Sequence, residues 1–333
     1  MEKTAYAGLN VTIRVLENDL LAPADYNTML QASSLADALN VLRKSEYHIP
    51  DDIEQTKNFD QFLMARLREV YDDLYEATPD RRVIDFYALR YEYHNLKVLF
   101  KEWYAEKDFK AMYIPIGRHS IESLRSAVRT GAGDGMDHAM LQGIQDVRQH
   151  FETHHSYDAI AIILDSAYLD NMRELADGIA DPEVTAFTDT VINFENLAML
   201  IRAMHQERPA AFIRSVLSDH GTIPVDELSQ FATEKNYAAI AESFKRTRLG
   251  AGLEDVLKTD ENTDVVDLEA KIEELLAEEM QGAQLKAFGP LPTIAYLYYL
   301  ENEITNVRLI LVGLDNNLDH EAIEERMRPI YGS

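Results

Sequence analysis

The segment HFETHH, His150 to His155, sets two imidazoles four residues apart. On a helix His150 and His154 share a face and could chelate a metal ion. The zinc-protease pattern needs a glutamate directly after the first histidine. Here Glu152 comes two residues on and turns to another face. A plain surface helix end is the simpler reading. Five of the ten histidines, His119, His138, His150, His154 and His155, fall in one stretch. A face that titrates near neutral pH is the functional alternative to passive exposed side chains.

Other tempting groups lack the geometry for chemistry. GAGDG at Gly131–Gly135 does not follow a strand and lacks the spacing and the Gly-Lys-Ser/Thr ending that cradle phosphates. A flexible loop that could close over a partner fits it better. Glu273 with Glu274, and Asp72 with Asp73, are adjacent on helices and face different ways, so they make poor acid–base partners. Tyr93, Phe100, Trp103 and Tyr104 suit a core rather than a cofactor box. No nucleophile–histidine–acid spacing stands out, and no cofactor motif is present.

The elements that must position these residues are helical. Of 333 residues, 46% are hydrophobic and 27% charged, with only 14 glycines, 10 prolines and no cysteine. Disulfides, thiolate metal sites and a cysteine nucleophile are excluded. No apolar run approaches a membrane span. The opening MEKTAYAGLN lacks a long apolar core and a small-residue cleavage site, which argues against export. A net charge of −26 would repel phosphate backbones and anionic lipid, so neither nucleic acid nor direct lipid binding is expected. Leu253 to Met280 concentrates the acid, yet Leu268, Ile272, Leu275 and Leu276 keep an apolar stripe, which predicts a solvated helical face.

Three-to-four-residue apolar periodicity dominates and predicts helices at Leu35–Glu46, Thr56–Glu76, Arg82–Ala105, Ile121–Arg129, Met136–Thr153 and Ser156–Ala176. It continues at Pro182–His205, Pro209–Asp219, Val225–Gln230, Tyr237–Leu249, Val266–Lys286, Pro292–Leu314 and His320–Met327. Ser33 or Ser34 can cap the first of these. Prolines 182 and 292 stand near helix starts, where a missing N–H does no harm. The fold class is all-α.

Asparagine is a poor helix former, yet Asn95 sits inside the YEYHNLKVLF helix. The stripe around it reads Val83, Phe86, Leu89, Tyr93, Leu96, Phe100, Trp103. Moving 101 residues on gives Val184, Phe187, Thr190, Phe194, Leu197, Ile201, Met204. A further 110 gives Ile294, Leu297, Leu300, Ile304, Val307, Leu311, Leu314. Asn95 becomes Asn196 and then Asn306. Units of about a hundred residues are too long for a solenoid repeat and suit small domains. Each asparagine is expected to be buried, its amide satisfied by a neighbouring helix end or loop. Three inward amides lining a site is the functional alternative.

With these residues in place, the chain resembles the C subunits of the V/A-type (vacuolar-type) rotary ATPases and ATP synthases, whose eukaryotic counterpart is the d subunit. The similarity lies in YAGLNVTIRVLENDLLAPADYNTMLQASSLADALNVLRKSEY, RYEYHNLKVLF and YYLENEITNVRLILVGLDNNLDHEAIEERMRPIY. It covers essentially the whole length, the middle third mainly in pattern. The resemblance implies three similar helical domains of about 100 residues arranged as a pseudo-threefold funnel. The expected bounds are 1–110, whose N-terminal segment closes against the last repeat, 111–214 and 215–333. It further implies a non-catalytic central-stalk subunit, without cofactor or metal, peripheral on the cytoplasmic side of the membrane. Its partners would be the D and F shaft subunits and the membrane rotor ring. Two alternatives are a helical scaffold for another partner and a metal-dependent helical enzyme using His150 and His154.

Overall fold

The computed structural model describes residues 2–154 and 157–332, with the side chains of His154 and Asp158 outside that description. Among the described residues there are sixteen α-helices and four short 3-10 turns, and no strand. The long helices begin where the capping chemistry places them. Asp181 accepts the Glu183 N–H at 2.9 Å with Pro182 in the first turn. Ser34 accepts the Asp37 N–H at 3.2 Å and starts the Leu35–Leu42 helix.

Some boundaries differ from the expected ones for visible reasons. The Thr56–Glu76 segment divides into Ile53–Thr56 and Phe59–Ala77 because Lys57 is left-handed, at φ 54°. A left-handed residue ends a helix. Tyr237–Lys245 stops four residues early, and Leu249 then turns left-handed at φ 62°. Two helices beyond the expected set, Ala7–Leu16 and Pro23–Leu30, form near the N-terminus.

The chain divides into two compact units. The first joins residues 1–87 to 277–333. At its centre lies the Leu291–Asp315 helix, buried on most of its circumference rather than along one stripe. Such a helix has no solvent face to mark it as amphipathic. Helices Ala7–Leu16, Leu35–Leu42, Phe59–Ala77 and His320–Glu324 surround it. Gly313 lets the last approach: a Cβ there would meet Ile323 Cδ1 at 2.5 Å.

The second unit, residues 88–276, holds the helix pair His138–His154 and Asp158–Ile179, with Gly143 against Ala167. It also holds the Pro182–His205 helix, whose Phe194, Leu197 and Ile201 form a core with Leu228, Phe244 and Leu268. Each fully buried side chain of this size contributes roughly 1.5–3 kcal/mol. The second half of the acidic segment enters the Val265–Ala283 helix, its Leu268, Ile272 and Leu275 buried and its Asp267, Glu274 and Glu278 exposed.

The three sequence stripes are buried, apart from half-buried Trp103 and Leu314 at their ends. Among the described residues no helix is long and apolar enough to cross a membrane.

Candidate functional site

The buried polar groups of the three long helices form one recurring arrangement. Asn95 donates to the Ile114 carbonyl at 2.6 Å and accepts the Ile114 N–H at 2.9 Å. Asn196 does the same with Ser218, at 2.9 and 2.8 Å. Asn306 does so with Arg328, at 3.0 and 2.8 Å. Each asparagine holds both backbone groups of one residue 19 or 22 positions later. A side-chain amide can offer both a donor and an acceptor to a single residue's backbone, which neither leucine nor aspartate can. All three are at most 2% exposed. Their amides are spent on backbone, each inside the one compact unit that holds it.

A second contact lies one helical turn earlier, at positions visible in EYHN, NFEN and ENEITN but not singled out from sequence. Glu92 accepts the His119 N–H at 2.7 Å, and Asn193 accepts the Thr222 N–H at 2.8 Å. Glu303 accepts the Leu21 N–H at 2.6 Å. His119 stands before the Ser120 cap of Ile121–Thr130, and Leu21 before the Ala22 cap of Pro23–Leu30. Thr222 comes just ahead of Val225–Thr233. Each long helix thus grips the lead-in to another helix.

The gripping requires glycine at two places. Gly117 has φ +127°, and a Cβ there would lie 2.5 Å from Glu92 Cγ. At Gly221 a Cβ would sit 2.9 Å from Asn193 Oδ1. Both glycines stand three residues past the clamped Ile114 or Ser218.

Electrostatics set two joints apart. The His119 side chain is 7% exposed, its Nδ1 2.9 Å from Glu92 Oε1, so it is not part of an exposed histidine face. Burial would lower its pKa, but the hydrogen bond and charge of Glu92 outweigh that and raise it. Burial pushes Glu303 up against the pull of Leu21 N–H, Tyr47 hydroxyl and Arg66, leaving it at about 7.

The remaining sequence-predicted groups scatter. His138 is 86% exposed, 3.6 Å from Glu174. His155 and the His154 side chain lie outside the described residues, and among those described no group of three or more His, Cys, Asp or Glu could hold a metal ion. The Gly131–Gly135 loop is anchored: Arg118 donates to the Gly135 carbonyl at 2.7 Å and Gln145 to the Gly131 carbonyl at 2.9 Å. Tyr104 stacks on Phe151 at 3.4 Å, and the Arg148 guanidinium lies 5.1 Å from the Trp103 ring centre. Phe100 of that aromatic set is fully buried.

These features define an all-helical protein whose buried amides and carboxylates fasten helices to loops. Comparison with known proteins gives the family: residues 9–326 match the model for the ATP synthase (C/AC39) subunit, and the chain belongs to that family. It is 30% identical over 331 residues to the C subunit of the V-type sodium ATPase of Enterococcus hirae, covering 98% of this chain and 99% of the relative. It is 23% identical over 356 residues to the C subunit of the A-type ATP synthase of Methanocaldococcus jannaschii, covering 96% and 85% respectively.

Proposed function

We propose that the chain is a central-stalk subunit of a V/A-type ATPase, a socket that seats on the membrane rotor ring and receives a shaft made by the D and F subunits. The observation that carries this is the family match across residues 9–326. The role is mechanical: one face docks on ring loops, another grips the shaft, and the body turns with both. It works on the cytoplasmic side, without catalytic residues of its own. Each contact would bury on the order of 800 Å² per partner if it is a standard specific interface.

The recurrence of one clamp at Asn95, Asn196 and Asn306 supports a threefold internal repeat, with units at 1–110, 111–214 and 215–333. In the first two cases the clamped residue, Ile114 or Ser218, falls just past the proposed boundary, so each clamp would tie one unit to the next. Stiff joints of this kind suit a part that transmits torque. An acid-rich surface fits a partner with basic groups; a cleft of 450 Å³ lined by Asp146, Asp170, Glu174 and Asp177 is one such place.

Tagged chain mixed with purified shaft heterodimer tests the proposal. A stable complex on gel filtration, and recovery of ring subunits from the membrane fraction, are the expected results. Failure to bind either partner would leave the chain a scaffold for something else.

A further inference from the structure

Two of the three lead-in joints are local. Glu92 and Asn193 grip amides 27 and 29 residues downstream, so a continuous stretch of chain loops back onto its own helix. Glu303 grips Leu21 across 282 residues, and there the two ends of the chain meet only through non-covalent contacts. The N-terminal segment and its Pro23–Leu30 helix fill the place that a downstream helix fills for the other two.

The surroundings of Glu303 are crowded and polar. Its Oε2 accepts the Leu21 N–H at 2.6 Å and its Oε1 the Tyr47 hydroxyl at 2.8 Å. Asp25 and Tyr26 face it from the Pro23–Leu30 helix, Arg66 from Phe59–Ala77, and Tyr296 from its own helix. Asp25 also accepts the Ala22 N–H at 2.9 Å, beside the same joint. Glu303 is 4% exposed. A neutral carboxyl keeps this joint intact: Oε2 still accepts the Leu21 N–H, and Oε1 stays within hydrogen-bond reach of the Tyr47 hydroxyl. An ionised carboxylate keeps both acceptors but leaves a charge without bulk water, which is costly unless a counter-ion compensates.

We propose that Glu303 is a proton-operated latch on the seam between the chain ends, holding segment 20–30 closed when protonated and letting it open when ionised. The folded pKa lies near 7 against an ordinary 4.5, so the closed form binds the proton more tightly. Closure is therefore strongest below the ordinary value and is lost as pH rises through the raised one. The latch needs no partner; its consequence for a shaft socket, an opening place in the wall, rests on the proposed function.

Hydrogen–deuterium exchange on the full chain tests it without any partner. Peptides spanning 18–30 are compared with peptides spanning 219–227 in a His220→Gln background, where a neutral Asn193 amide holds Thr222 and the imidazole beside Asp170 is removed, with times rescaled for base-catalysed intrinsic exchange. Between about pH 6 and about pH 8.5, pKa values of about 7 closed and 4.5 open make seam opening rise about tenfold. The 219–227 peptides stay constant, and Glu303→Gln abolishes the rise. Should Glu303→Gln fail to fold by circular dichroism, Tyr47→Phe, which removes a donor to the carboxylate, shifts the rise to higher pH. A seam with no pH dependence, an equal rise in both regions, or a rise that persists in Glu303→Gln or is unmoved in Tyr47→Phe would overturn the latch. None of these outcomes bears on whether the chain binds a shaft.

Discussion

Asn306 and Arg328 exchange two hydrogen bonds, Nδ2 to carbonyl at 3.0 Å and backbone N–H to Oδ1 at 2.8 Å. That bidentate grip fastens the last descending stretch of chain to the central helix of its unit. In Asn306→Ala both Arg328 backbone groups lose their partner, and each such loss costs about 1–3 kcal/mol where water cannot enter. Asn306→Ala is therefore expected to lower unfolding stability by about 3 kcal/mol, read from urea melts. Asn18→Ala, whose amide makes one exposed bond to the Arg14 carbonyl at 2.9 Å, should stay within about 0.5 kcal/mol. Equal effects would mean the clamp is no stronger than a surface contact.

Gly117→Ala attacks the neighbouring joint through the backbone. At φ +127° an L side chain is strained, and the added Cβ would meet Glu92 at 2.5 Å. Glu92 cannot retreat without releasing the His119 N–H. A loss of at least about 2 kcal/mol is expected, from backbone strain and a broken buried hydrogen bond together. Gly135→Ala is the control for strain alone: its φ is +71°, but nothing lies within 4 Å of a Cβ. If both variants melt alike, the close approach to Glu92 carries no weight.

What could be read from the residues, and what could not, follows from distance along the chain. Both ends of the Arg82–Ala105 and Pro182–His205 helices were legible, because caps, prolines and stripe all act locally. The Ala7–Leu16 helix was not, since Val11 and Val15 lie 68% and 60% exposed and blur any single apolar face. The asparagines announced themselves as misfits in helices. Their partners could not be read off, because nothing in Asn306 names Arg328. Glu303 was hidden further still: its donors Leu21 and Tyr47 are 282 and 256 residues away. Glu92 reads as one more acid in an acidic chain, because nothing near it in sequence names His119, 27 residues on.

The Glu92–His119 pair gives stability a pH dependence of known sign. The folded pKa of His119 is raised above the ordinary 6.5, so its contribution is full below that value and is lost as pH rises through the folded one. His119→Gln removes the titrating group while keeping a polar side chain of similar reach. The stability difference between wild type and His119→Gln should narrow from mildly acidic to mildly alkaline pH. Urea midpoints across that range check it. A difference that is constant or widens would show that burial, which acts in the opposite sense, prevails over Glu92.

Under the proposed function, association with a shaft should carry the mark of a net charge of −26. The acids that line the 450 Å³ cleft, Asp146, Asp170, Glu174 and Asp177, leave Arg173 as the one fixed cation among the described lining residues. That guanidinium is already engaged with Asp189 and, at 3.9 Å, Asp177. A partner that brings basic groups is thus drawn in by unneutralised charge, and such steering acts mainly on the association rate. At about 0.15 M salt the screening length is about 8 Å, shorter than the reach of the approach. The association rate with purified shaft subunits should fall at least several-fold between about 0.02 and 0.3 M salt, while dissociation changes far less. Asp170→Asn with Asp177→Asn should flatten that dependence without altering the circular dichroism spectrum. A rate indifferent to salt would show that the acidic surface serves solubility alone.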